Sequence, residues 1–127
     1  DQTTASAPAL CQLGRRLVLA WTGTDRRLNL SGWDGAAWDD PVFLDETSSH
    51  APALCAVEDV VVLAWTGTDR RLNLMTRRAG VMSGPMHLPE KSSHAPAIFA
   101  DGARIVLAWT GTDRRINVAR VGAAALP

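Results

Sequence analysis

The nonapeptide LAWTGTDRR occurs three times without a change of letter, at Leu19–Arg27, Leu63–Arg71 and Leu107–Arg115. Each copy stands 44 residues from the next, and so do the segments before it: SAPALC at Ser6–Cys11, HAPALC at His50–Cys55 and HAPAIF at His94–Phe99. Self-similarity at a fixed period of this size marks a repeat architecture, in which one supersecondary unit cannot bury its apolar face alone and stacks on its neighbours. The units run over approximately 1–44, 45–88 and 89–127, within one repeat domain spanning residues 1–127.

Within the middle unit, Ala51–Val57 reads as a first strand and the apolar run of EDVVVLAWTG as a second. Arg71–Arg77 reads as a third and Gly84–Glu90 as a fourth, separated by turn material. In the first unit, Asp34-Gly35 is a hairpin signal. No window carries the i, i+3, i+4 apolar spacing of an amphipathic helix, so the chain reads as all-β. Two architectures take such units. A β-trefoil uses three of them in one chain, whereas a β-propeller uses one per blade and needs about four to eight blades. The runs RLVLAW, VVVLAW and RIVLAW are nearly continuous apolar stretches, as expected of strands covered on both faces. That favours the propeller, with the trefoil as the alternative.

Three blades make too small a circle. The expectation is therefore a head-to-tail homodimer in which each chain supplies half of a six-bladed ring. Asp1–Thr4 aligns with Asp45–Ser48, just past a fourth strand, and the tail AAALP aligns with a fourth strand if the hairpin before it is shortened. A first residue other than Met is expected of a processed chain or a fragment.

Thirteen basic and thirteen acidic residues balance, which argues against a general electrostatic grip on nucleic acid or an anionic membrane. No apolar run approaches the length of a membrane helix. Cys11 and Cys55 occupy one repeat position whose third occupant is Phe99, so they read as reduced core residues rather than as a disulfide.

The segment SSHAPAL…VVLAWTGTDRRLNL resembles the tandem repeats of bacterial secreted β-propeller proteins, related in blade pattern to sialidase-like and lectin propellers. GWDGAAWDDPVF of the first unit also looks like the hairpin of six-bladed fucose-type lectins, whose blade Trp stacks on sugar. The resemblance implies a secreted, extracellular protein and carbohydrate binding. The second and third units carry Arg77-Arg78 and Gly122-Ala123-Ala124 near the place of that Trp pair, and the sialidase aspartate box is absent.

Two readings explain the nonapeptide. As scaffold, Leu and Trp fill the contact between blades, Gly23, Gly67 and Gly111 serve the turn, and the Asp accepts turn amide hydrogens. As a ligand site in the crevice between blades, the repeats offer the inventory a sugar needs: an aromatic face plus charged and amide partners for hydroxyls. The candidates are Trp21, Asp25, Arg27 and Asn29, then Trp65, Asp69, Arg71 and Asn73, then Trp109, Asp113, Arg115 and Asn117. Trp33 and Trp38 of the first hairpin join them, with His50 and His94 on the connections between units. Repetition makes such binding multivalent. Catalysis is not expected: there is no Tyr nucleophile, no nucleophile elbow, and Asp39-Asp40 and Glu58-Asp59 sit in turns with carboxylates pointing apart. No metal or cofactor is expected either, since His50, His87 and His94 lack ligand spacing. The leading expectation is a non-catalytic lectin-like module with repeated weak sites. The alternative is a self-assembling scaffold or protein-interaction module without a small ligand.

Overall fold

The computed structural model describes residues 2–127. Twelve strands among the described residues form three antiparallel sheets, one after another along the chain. The first holds β1 (Ala9–Leu13), β2 (Arg16–Thr22), β3 (Arg27–Trp33) and β4 (Val42–Thr47) in that order. The second holds β5 (Ala53–Val57), β6 (Val60–Thr66), β7 (Arg71–Arg78), the two-residue β8 (Val81–Met82) and β9 (Met86–Lys91). Both β8 and β9 pair with β7, so the outer edge of this sheet is one strand in two pieces. The third sheet holds β10 (Ala97–Asp101), β11 (Arg104–Thr110) and β12 (Ile116–Gly122). The registers repeat with the period: Ala9 faces Ala20, Ala53 faces Ala64, and Ala97 faces Ala108.

The sheets pack face to face in sequence, and the core lies in two separate layers between them. Val18, Ala20, Leu28, Leu30 and Leu44 of the first sheet meet Leu54, Val61, Leu63, Trp65 and Met75 of the second. On the other side, Cys55, Val62, Ala64, Leu72 and Leu74 of the second meet Ile105, Leu107 and Leu126, with Ile98 and Trp109 half-buried beside them. A trefoil would gather its three units around one shared barrel. Two stacked layers are inconsistent with that alternative. They also explain the unbroken apolar runs, since every residue of β6 is buried.

Cys11 and Cys55 are free thiols that contribute to these layers. Burial pushes both up to about 11, and for Cys55 the nearby Cys11 adds to the rise. A thiol so shifted stays protonated and unreactive at neutral pH.

The third sheet departs from the four-stranded expectation. AAALP does not form a fourth strand. Ala123–Ala125 makes a single 3₁₀ turn, Leu126 is buried in the second core layer, and the Pro127 carbonyl accepts the Thr76 hydroxyl at 2.6 Å. With no Trp- or Met-bearing hairpin to carry the chain outward, the apolar Leu126 is better placed folding back over the second sheet.

The β2–β3, β6–β7 and β11–β12 turns share one geometry, which explains most of the nonapeptide. The Gly23 amide donates to the Arg27 carbonyl at 2.8 Å, and the Asp25 carboxylate accepts the Arg27 amide hydrogen at 3.0 Å. The left-handed position falls on an arginine (Arg26 φ 67°, Arg70 φ 69°, Arg114 φ 67°) rather than on the glycine. The glycine is needed for close approach: a Cβ at Gly67 would sit 2.8 Å from Asp69 Oδ1 and 3.1 Å from Asn73 Nδ2.

Connections between sheets are stitched by hydroxyls. The Thr22 hydroxyl donates to the His50 carbonyl at 3.0 Å, and that of Thr66 to the His94 carbonyl at 2.8 Å. Ser48 spans both sheets, its amide donating to Arg26 O and its hydroxyl lying within reach of Thr66 O.

Replacing Trp65, only 1% exposed, with Ala is expected to lower the urea-unfolding free energy by about 3–5 kcal/mol, because the layer around it cannot collapse onto the gap. Gly67→Ala is expected to cost about 1–3 kcal/mol by displacing the Asp69 carboxylate from its amide. A loss below 1 kcal/mol for Trp65→Ala would contradict the two-layer core.

Candidate functional site

An apolar concavity of about 430 Å³ opens on the face of the first sheet that points away from the second. Leu19, Trp21 and Ser31 form its floor, and Trp38, Asp39 and Pro41 form its outer wall. The wall is built by the β3–β4 connection. Asp34 caps it: its carboxylate accepts the amides of Ala36 and Ala37 at 2.9 Å each, and Gly35 takes φ 104°. Those two amide bonds, Ala37 first, hold the Asp34 carboxyl below the usual carboxylate range. The turn brings Trp38 back to bridge Trp33, the two rings lying 5.3 Å apart at 49°. Such a tilted pair is favourable beyond its buried area. It leaves Trp33 half-buried as a backing plate and Trp38 48% exposed.

Asp39 is anchored beside this aromatic face. Its carboxylate meets Arg16 Nη2 at 2.6 Å, its carbonyl accepts the Ser31 hydroxyl at 2.8 Å, and its amide donates to Gly32 O at 2.7 Å. Gly32 makes room for the ion pair, since a Cβ there would lie 2.8 Å from Asp39 Oδ2 and 2.9 Å from Arg16 Nη2. Arg16 and Asp39 were not among the residues expected from the sequence to bind a ligand. The signal was partial: Asp39 has no acidic counterpart in the second unit, where Ser83 stands one period on, whereas Arg16 recurs as Arg104 in the third unit and only the second, with Val60, lacks it.

Of the expected site residues, Trp21 and Trp38 share this cavity. The others are distributed along the stack. Trp65 is sealed between the first and second sheets, and Trp109 is half-buried against the second. Asp25, Asp69 and Asp113 each accept the backbone amide two residues on, at 3.0 Å. Arg27 and Arg71 donate from Nε to the carbonyls of Leu44 and Leu88 on the outer strand, both at 2.9 Å. Arg115 has no outer strand beside it, and its nearest charged partner is Asp113 at 3.8 Å. Asn29, Asn73 and Asn117 return their side-chain amides to the carbonyls of Arg27, Arg71 and Arg115. The other side of Asn73 is satisfied by His87, whereas the buried Asn29 Oδ1 has no partner among the described residues because Phe43 stands at the corresponding position.

No family profile matches the sequence, and no curated protein matches it. Solved structures do. A point mutant of the Aleuria aurantia lectin in complex with alpha-methyl-L-fucoside superposes with a TM-score of 0.70 at 13% identity, over 94% of this chain and 42% of the lectin. The same lectin mutant with Fucalpha1-6GlcNAc gives 0.71 at 13% identity, over 94% and 43%. A xylan beta-1,4-xylosidase from Bacillus Halodurans gives 0.71 at 16% identity, over 97% of this chain and 30% of that enzyme. The chain thus spans about two fifths of the lectin's length. The fold is that of a partial β-propeller. Each sheet is a blade, and the cavity lies on the open flank of the first blade.

The connections between propeller blades carry His50 and His94, whose rings lie 6.0 Å apart. Each Nδ1 is bonded to the preceding serine hydroxyl, at 2.8 Å for Ser49 and 2.9 Å for Ser93. Partial burial, and then the charge of His94, lower the affinity of His50 for a proton below its ordinary 6.5. A base with a depressed folded value binds fewer protons in the folded state, so its contribution to stability falls as pH drops through the ordinary value. His50→Ser, which copies Ser6 of the first blade, is therefore expected to lose less stability than the parent between pH 7 and pH 5, measured by urea midpoints. Equal slopes for both proteins would exclude the histidine pair as an acid-sensitive element.

Proposed function

We propose that the chain is a non-catalytic carbohydrate-binding module that docks a sugar ring on Trp38, at the mouth of the cavity on the first blade. The observation that carries this reading is the Trp33–Trp38 pair, which holds one indole face half exposed to water. A sugar presents an apolar C–H face and a rim of hydroxyls, so an immobilised indole beside fixed polar groups is complementary to it. Asp39 and Ser31 supply those groups, with Arg16 holding the carboxylate in place. The likeness to a lectin crystallised with fucosides supports the same class of ligand and makes a fucoside the first to try.

A glycosidase reading draws on the xylosidase likeness, but glycoside cleavage requires two carboxyl groups flanking the bond. Asp39 is the single carboxylate among the described residues that line the cavity, and it is engaged by Arg16. The observation favouring a scaffold without ligand is that the Asp, Arg and Asn of the repeated motif are spent on turns and outer strands.

Titration with alpha-methyl-L-fucoside and Fucalpha1-6GlcNAc, followed by tryptophan fluorescence and extended to a panel of neutral and acidic glycans, separates these readings. Binding is expected to weaken about 30-fold or more in Trp38→Ala, the scale of an aromatic anchor. Phe43→Ala, at an equally exposed aromatic outside the cavity, is expected to leave it unchanged. Silence across the panel would favour the scaffold.

A further inference from the structure

Each internal junction is built from the same two halves, one period apart. The earlier blade presents Val18, Ala20, Leu28 and Leu30, or Val62, Ala64, Leu72 and Leu74. The later blade receives them with Leu54, Val61, Leu63 and Trp65, or with Ile98, Ile105, Leu107 and Trp109. The chain carries both halves once more with no blade of its own against them, although Trp21 is only 5% exposed. Val106, Ala108, Ile116 and Val118 stand in the presenting positions of the third blade, and Leu10, Leu17, Leu19 and Trp21 in the receiving positions of the first. Ile116 and Val118 are 82% and 58% exposed, although Leu72 and Leu74 at the same positions of the second blade are sealed. Leu10 is 57% exposed where Leu54 is buried.

The polar stitches repeat this pattern. Thr22 and Thr66 donate to the carbonyls of His50 and His94, and the carbonyls of Arg26 and Arg70 accept the amides of Ser48 and Ser92. Among the described residues, the Thr110 hydroxyl and the Arg114 carbonyl have no such partners. The groups that would serve them one period on are the Ser6 carbonyl and the Thr4 amide. These are already shaped for the role, because the Thr4 hydroxyl closes on Ser6 O at 2.6 Å just as Ser92 closes on His94 O at 2.8 Å. The open edge of β12 fits as well. Arg27 pairs with Thr47 and Arg71 with Lys91 on their outer strands, and the same offset brings Thr3 opposite Arg115. Charge agrees in sign: residues 89–127 hold five basic and three acidic side chains, and residues 1–44 hold four and five.

We infer that the β12 face of the third blade docks on the β1–β2 face of a second copy of this chain, reciprocally, so that two chains form one ring through two identical head-to-tail junctions. Three blades fall below the range in which propellers close and six fall within it. A heterologous contact that closes after two copies forms a discrete particle rather than a fibre. In that particle Ile116 and Val118 of the second copy cover the floor of the cavity at Leu19 and Trp21, while Trp38 remains at its rim. The inference does not depend on carbohydrate binding, because its test reads mass and not sugar.

Light scattering and sedimentation on the 127-residue chain over a dilution series are expected to give twice 13.6 kDa. Ile116→Asp and Leu10→Asp, each at an exposed position and so with unchanged far-ultraviolet circular dichroism, are expected to weaken association by about 100-fold or more. An equimolar mixture of the two variants regains a two-chain species through its one unaltered junction. Thr110→Val, which removes a hydroxyl without an intrachain partner, weakens association by about 5-fold per junction and keeps the inference testable if an Asp variant fails to fold. A 13.6 kDa species at every concentration, an assembly larger than two chains, or a dimer indifferent to Ile116, Leu10 and Thr110 would each overturn it.

Discussion

A sheet with apolar side chains on both faces leaves hydrophobic surface in water until each face is covered, and the packing of one blade on the next is what covers it here. The second blade meets this requirement completely, with β6 buried from end to end. The first and third meet it on one side only, which is why the same positions are sealed in one blade and wet in another. Repetition in the sequence is the imprint of that requirement. A Leu or Trp that fills one gap must recur wherever the same gap recurs, and the three identical nonapeptides record it.

Within this frame the polar part of the motif has a mechanical job. The Asp ties the turn, the Arg reaches to the outer strand and the Asn closes on the Arg carbonyl, so three side chains fix the angle between the middle and outer strands. A group engaged in this way has little capacity left for a ligand, and recognition moves to the parts of the blade that differ. The first hairpin, with its paired indoles and its Arg16–Asp39 bridge, is the most elaborated of these. Its chemistry is made of residues the repeat does not require, on a backbone the repeat holds still.

Much of this was legible in the letters. The period, the strands, the all-β class and the role of the apolar runs follow from self-similarity and alternation, because those patterns report burial directly. The Asp34-Gly35 turn was legible for the same local reason. Other features were not. The left-handed turn position falls on Arg26, Arg70 and Arg114, residues with no preference for it, because the turn is imposed by the flanking strands and the Asp cap. The fold-back of Leu126 depends on a tertiary contact with the second blade that no local pattern announces. Arg16 and Asp39 lie 23 residues apart and meet only through strand pairing across Gly32. The wide ligand inventory expected from Trp, Asp, Arg and Asn was drawn from composition, and composition does not say which of those groups the frame has already engaged.

The constant 44-residue spacing of the blade registers has an evolutionary corollary. Recombination between two copies within the gene deletes or adds one whole unit, and the first and last blades of the product still bear the same leading and trailing surfaces. Unit number can therefore drift without any new complementarity having to be invented.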